Sequence, residues 1–252
     1  MFVITGGGQG IGKALALALA ARCQSVLIIG RHEQPLAETA RSSPFIDYLQ
    51  ADVSLSIGRQ QIVERLNDVS LINGLVHNAG TIDPLLPIAD IDEAAWHQCM
   101  ATNIDAPLFL NQHLQNKLVN GRVLNIGTAA AYFPVAGWAA YCVSKAALSM
   151  LTRCWQLECS QIAFASVMPG IIDTAMQMKI RQAEHMAPEK RDFFRQLKQD
   201  NRLVTPATVA AFLCWLLLDT DSTLYASKEW DIYDDTHHCS WLLPPHEVPA
   251  FE

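Results

Sequence analysis

The sequence lacks the features that mark several large protein classes. Among its 252 residues no apolar run is longer than 209–218, about half of the roughly 20 residues a membrane-spanning helix needs. No transmembrane segment is therefore expected, despite a mean hydropathy of +0.14. A basic leader is missing too: Met1 runs straight into Phe-Val-Ile-Thr-Gly, so no signal peptide is expected. No C-x-x-C pair occurs. The seven cysteines (Cys23, Cys99, Cys142, Cys154, Cys159, Cys214 and Cys239) are odd in number and lie mostly in apolar stretches. That excludes a disulfide framework or a zinc ribbon and fits a reducing cytoplasm. Positive charge is scarce. Eighteen Lys and Arg against 25 Asp and Glu give a net charge of −7, which argues against non-specific nucleic-acid binding. Charged residues make up only 17% and hydrophobic residues 50%, a composition that can bury a sizeable core and excludes global disorder.

What is present is an alternation. Short apolar runs at 2–4, 26–29, 45–50, 75–77, 122–126, 162–168 and 229–232 read as strands. Between them, helical periodicity covers 13–22, 35–41, 54–68, 92–118, 138–158 and 205–218. This rhythm predicts βαβ units. The expected fold is a single doubly wound α/β domain over 1–252, with a parallel sheet of about seven strands and helices on both faces. Two segments fall outside the rhythm. Residues 175–204 are charged and Met-rich. They read either as a lid whose Met176, Met178, Ile180, Met186, Phe193 and Phe194 line an apolar pocket, or as two amphipathic helices packing a core. The tail, 235–252, is rich in Pro, His and Trp, and Trp241, Leu242 and Leu243 are expected to dock it. No metal site is expected at His237-His238-Cys239, because adjacent residues rarely chelate one ion and a fourth ligand is not evident.

The first strand runs into Thr5-Gly6-Gly7-Gly8-Gln9-Gly10-Ile11-Gly12 and then a helix. Glycines there let the backbone approach a phosphate, and the helix start and its dipole favour the anion. The second strand ends Ile29-Gly30-Arg31-His32. No acid stands at that end to take a ribose hydroxyl, although Glu33 is close. The guanidinium fork of Arg31 suits a 2′-phosphate, which points to NADP rather than NAD.

Tyr141 and Lys145 are four residues apart on a predicted helix, so both can face one side. A phenol near pKa 10 is a poor acid–base catalyst at neutral pH, and a neighbouring ammonium is expected to lower it. Such a pair can protonate a carbonyl oxygen or take a proton from an alcohol. The preceding loop, 127–137, supplies Thr128, whose hydroxyl is placed to bond the substrate oxygen as it gains charge.

Together these residues resemble the short-chain dehydrogenase/reductase family over about residues 2–233, in a subgroup similar to benzil reductase and sepiapterin reductase. Thr5, Gly6, Gly10, Ile11 and Gly12 resemble the family's cofactor turn. Asp52-Val53 resembles its adenine contact, and Asn78-Ala79-Gly80 its cofactor-steadying segment. Asn103 matches the catalytic asparagine that holds a relay water. Tyr141 and Lys145 match the acid–base tyrosine and the lysine that also binds the nicotinamide ribose. Pro169-Gly170-Ile171-Ile172-Asp173-Thr174 resembles the carboxamide-contacting segment. Thr128 stands where the family usually has serine. The resemblance implies a Rossmann-type fold and NADP(H)-dependent reduction of a ketone or aldehyde, with vicinal dicarbonyls as a subgroup substrate. It also implies a homodimer or homotetramer through 92–118 and 138–158. An NADP-binding regulatory or scaffold protein that has lost catalysis is the alternative.

Overall fold

Successive residues of a strand point to opposite faces of a sheet, and here both faces are apolar. In β1 (Phe2–Thr5), Phe2 and Ile4 pack on one side and Val3 on the other. The same split recurs in β2 (Val26–Gly30), where Val26 and Ile28 oppose Leu27 and Ile29. With β3 (Ile46–Gln50), β4 (Gly74–His77), β5 (Arg122–Ile126), β6 (Ala163–Met168) and β7 (Trp230–Asp231), these strands form one seven-stranded sheet in the order β3-β2-β1-β4-β5-β6-β7. Every neighbouring pair is parallel. The computed structural model describes residues 1–250 of the chain.

Helices cover both faces, as parallel strands require. On one side α1 (Gly10–Ala21) and α9 (Pro206–Leu218) pack through Leu15, Leu19, Phe212 and Leu213. On the other, α3 (Ser56–Arg65), α5 (Ala106–Leu114) and α6 (Ala139–Glu158) contribute Ile62, Leu110, Leu114 and Trp155. The order reverses between β1 and β4, which opens a crevice at the carboxyl ends of the strands.

Several boundaries differ from the sequence expectation. The stretch 92–118 is not one helix: α4 (Glu93–Met100) passes into a π-helical turn, Ala101–Asp105, before α5 begins. Pro107 explains the break, since it cannot donate the α-helical bond to the carbonyl of Asn103 four residues back. The wider turn buries Asn103. α1 starts at Gly10, three residues early, and β7 is only two residues long.

Residues 175–204 form two helices, α7 (Ala175–Gln182) and α8 (Pro188–Gln199), joined back to the body by a parallel bridge between Ile172 and Val204. In the tail, His237 is buried, stacked on Phe212 and bonded through Nε2 to the Asp231 carbonyl. Its Nδ1 accepts from Trp241 Nε1 at 2.8 Å. Trp241 docks as expected and Leu242 packs partly, but Leu243 stays exposed. Among the described residues no cluster of His, Cys, Asp or Glu is arranged to hold a metal, and no helix is long and apolar enough to cross a membrane.

His77 at the end of β4 is buried and sits 2.8 Å from Asn111 Oδ1. Burial, first, and then the charge of Lys145 push its pKa from 6.5 down to about 4, against the Asn111 bond. The folded protein therefore keeps His77 neutral where the unfolded chain takes up a proton. Stability from this group is complete above pH 6.5 and is lost as pH falls toward 4. The His77→Gln variant keeps the donor without the titration. Thermal melts across that range should show wild type losing up to about 3 kcal/mol relative to the variant. Parallel curves would contradict this account.

Candidate active site

The glycine turn is shaped by two close approaches. A Cβ on Gly12 would lie 2.3 Å from the Gly6 carbonyl oxygen and 2.6 Å from Asn78 Nδ2. A Cβ on Gly7 would lie 2.4 Å from the Cβ of Ile28. Gly6 and Gly10 also take positive φ, which glycine adopts without strain. From β4, Asn78 Nδ2 donates to the carbonyls of Thr5 at 2.9 Å and Gly6 at 3.0 Å. Thr5 Oγ1 accepts from the backbone of Asn78 and Ala79 at 3.1 and 3.0 Å. No side chain caps α1 and no acid stands in its first turn, so its positive end faces the crevice unopposed.

The crevice is a cleft of about 1530 Å³, larger than the space one small ligand usually fills. Gly6, Gly10 and Ile11 form its floor, and Arg31, Asp52 and Val53 line one end. Asn78, Ala79, Gly80, Pro169, Gly170, Ile172 and Thr174 line the middle, and Thr128, Tyr141 and Lys145 the far wall. Three of the residues singled out by sequence stand behind the wall. Thr5 and Gly12 shape the turn from beneath. Asn103 is buried, with both polar atoms engaged: Oδ1 accepts from Thr81 N at 2.9 Å, and Nδ2 donates to Thr81 O and Ser144 Oγ, each at 2.9 Å.

The sequence reading overlooked other lining residues. Lys13, His32, Ile82, Phe133 and Val135 also line the cleft. Lys13 was legible as a cation directly after the turn. Phe133 and Val135 lie in the loop that carries Thr128, and as isolated apolar residues they carry no sequence signal of chemistry. Glu33 is not in the wall, and Tyr48 donates to its Oε1 at 3.4 Å.

At the catalytic wall, Lys145 Nζ donates to the Ile126 carbonyl at 2.7 Å, and a Cβ on Gly80 would lie 3.7 Å from that nitrogen. Nζ stands 5.9 Å from the centroid of the Tyr141 ring. Burial acts on the pair in opposite directions, because it penalises whichever form is charged. It pulls Lys145 down to about 8 and pushes Tyr141 up to about 12, a rise that a hydrogen bond from Thr128 only partly offsets. In the protein alone the phenol is therefore raised by desolvation, the opposite direction to the lowering expected from a neighbouring ammonium. The phenol stays protonated at neutral pH and is a proton donor.

Beyond Tyr141 the wall is aromatic. Trp138 meets Tyr141 edge-on at 5.9 Å and stacks on Phe194 at 5.9 Å, with Phe193 beside it. Met176, Ile180, Phe193 and Phe194 of the 175–204 segment line the cleft. Met178 and Met186, expected beside them, do not: Met178 is half exposed on the outer side of α7, and Met186 is buried in the packing beneath.

A family profile described as short chain dehydrogenase matches residues 1–185. A benzil reductase of Bacillus cereus that forms (S)-benzoin is 33% identical over 227 residues, 82% of this chain and 90% of that enzyme. A sepiapterin reductase of Meriones unguiculatus is 29% identical over 254 residues, 92% of this chain and 96% of that one. A crystal structure of a short-chain dehydrogenase/reductase from Saccharomyces cerevisiae superposes with a TM-score of 0.87 at 27% identity, covering 95% of this chain and 98% of that one.

The turn geometry can be tested without any assay of turnover. Gly12→Ala forces the 2.3 Å contact apart. The cost expected for such overpacking is about 1–3 kcal/mol, a drop of several degrees in melting temperature. Fluorescence titration with a reduced nicotinamide dinucleotide should show binding lost or greatly weakened. A variant with wild-type melting and binding would refute the close-approach account.

Proposed function

The chain belongs to the short-chain dehydrogenase family, and within it we propose an NADPH-dependent reductase of ketone or aldehyde carbonyls, vicinal dicarbonyls included. The observation that carries this reading is the buried phenol of Tyr141, neighboured by Lys145 and sharing one cleft with Thr128 and the glycine turn.

The cradle fits a dinucleotide. The tight glycine contacts and the uncapped α1 suit a pyrophosphate. Arg31 and His32, at the end of β2, line the cleft where a 2′-phosphate would lie, and Glu33 is held by Tyr48 instead of facing a ribose hydroxyl. That arrangement favours NADPH over NADH. When bound, the cofactor supplies the hydride. Asp52 and Val53 take the adenine, Asn78, Ala79 and Gly80 steady the middle, and Pro169, Gly170, Ile172 and Thr174 take the nicotinamide end. Lys145 holds the ribose and offers its positive charge as the Tyr141 proton leaves. Tyr141 Oη donates that proton to the carbonyl oxygen, and Thr128 orients the oxygen. Asn103 acts from behind, fixing Thr81 and Ser144 on either side of the lysine. The aromatic wall of Trp138, Phe193 and Phe194 suits an aryl group beside the reacting carbon. This agrees with the aromatic diketone named for the Bacillus cereus relative.

We read 1–252 as one domain in which α7 and α8 form the lid. Exposed ion pairs, Lys179 with Asp83 at 2.6 Å and Lys198 with Asp173 at 2.5 Å, tie it to the loops after β4 and β6. Such pairs contribute little each, which suits a segment that opens. The seven cysteines are all free, in keeping with a cytoplasmic protein. Val143, Met150 and Leu157 recur every seven residues as an exposed apolar stripe on α6. We assign it to a homodimer or homotetramer contact.

Purified protein with NADPH and benzil should turn over, and NADH should be used far less well. Tyr141→Phe should lower kcat by roughly 10²–10⁴-fold with the fold intact, and Arg31→Ala should weaken NADPH while leaving NADH unchanged. Near-normal turnover of Tyr141→Phe would remove the assigned role. Binding of NADPH without turnover of any carbonyl would favour the regulatory alternative. By light scattering, wild type should measure as a dimer or tetramer and Met150→Glu as a smaller species. A wild-type monomer would end the assembly assignment.

A further inference from the structure

The loop that carries Thr128 is pinned by a carboxylate that takes no direct part in proton transfer. Glu229 immediately precedes β7 and is half-buried. Its Oε1 accepts from Ser166 Oγ of β6 at 2.8 Å, and its Oε2 accepts from the Tyr132 hydroxyl. The same hydroxyl meets Ser149 Oγ at 2.8 Å, on α6 one turn beyond Lys145. Ser149 and Ser166 are both buried.

These contacts grip the 127–132 half of the loop on both sides of Thr128. At its start, the Gly127 N–H donates to the Val167 carbonyl at 2.7 Å. A Cβ on Gly127 would lie 2.9 Å from Ser166 Oγ and 3.4 Å from Glu229 Oε1. Next, Thr128 Oγ1 accepts from Ala130 N at 3.3 Å and opens the short turn Ala129–Ala131. Tyr132 closes that turn through its own N–H, at 2.9 Å from the Ala129 carbonyl. The Tyr132 residue is 59% exposed, so packing alone does not hold its ring, and the hydroxyl bonds set its place.

We propose that Glu229 is a positioning residue for the reaction, fixing the Thr128 hydroxyl against the Tyr141 phenol through Tyr132 and Ser166. The proposal rests on the reading of Thr128 and Tyr141 as the groups at the substrate oxygen. A carboxylate suits the task because it only accepts. Both hydroxyls must donate to it, which fixes their direction and links β6, β7 and α6 behind the loop. The Tyr132 phenol is raised above its ordinary value by burial and then by its bond to Glu229, so it remains a donor.

Tyr132→Phe tests this with little risk to folding, since it removes one hydroxyl from an exposed ring. With NADPH and benzil, kcat should fall about tenfold, the loss expected when a catalytic group is slightly misplaced. The NADPH dissociation constant and the melting temperature should stay as in wild type. Glu229→Ala should lose at least as much, and Glu229→Gln should regain part through its remaining acceptor. The deciding measurement is a double-mutant cycle read by single-turnover NADPH oxidation. If Glu229 acts through Thr128, adding Tyr132→Phe to Thr128→Ala costs nothing further. An unchanged kcat in both Tyr132→Phe and Glu229→Ala, or a loss that multiplies with that of Thr128→Ala, would overturn the proposal. Normal turnover of Thr128→Ala alone would overturn the reading of Thr128, and this proposal with it.

Discussion

The architecture depends on a brace across the switch point of the sheet. β1 and β4 are neighbours whose chains leave in opposite directions, and the gap between them becomes a binding cleft only if it holds its shape. Asn78 holds it by donating to the carbonyls of Thr5 and Gly6, while Thr5 Oγ1 accepts from the backbone of Asn78 and Ala79. The brace demands glycine at Gly12, since any side chain there would strike both the Gly6 carbonyl and Asn78. The tightness of the turn and its openness to a ligand thus share one cause: a backbone without side chains can be approached from both sides.

From this brace the catalytic wall follows. The segment after β4 brings Gly80 and Thr81 against Asn103, and Asn103 reaches Ser144 on α6, between Tyr141 and Lys145. This contact exists because Pro107 interrupts the helix and the π turn buries Asn103. Burial then sets the electrostatics. It lowers the lysine and raises the tyrosine, so the pair rests as a proton-loaded phenol beside an ammonium that gives up its charge more readily than usual. Lys145 stays anchored to the Ile126 carbonyl, a fixed dipole that partly replaces lost water.

The substrate end is built differently. Its walls are aromatic and apolar, supplied by the loop before α6 and by α7 and α8, which pack against Trp138 and are tied to neighbouring loops by exposed ion pairs. Directed hydrogen bonds hold Lys145 and the turn at Thr128, whereas apolar contacts form the rest of this wall. Geometry matters most where charge develops.

The sequence by itself determined the sheet, the alternation of its connections, the turn at Gly6–Gly12 and the Tyr141–Lys145 pair. These are local: strand and helix periods, glycine spacing and an i, i+4 relation are written in neighbouring residues. It also singled out Arg31 at the end of β2 and the hydroxyl of Thr128, and both line the cleft. Only the tertiary structure decided which residues stand in the wall and which behind it. Thr5, Gly12 and Asn103 moved behind, Met178 and Met186 left the pocket, and Lys13, His32, Phe133 and Val135 entered it. The direction in which Tyr141 titrates was likewise a tertiary matter. The spacing of Tyr141 and Lys145 shows that a cation is near, but how much water each group loses depends on everything packed around it. Here that desolvation is the largest influence and raises the phenol.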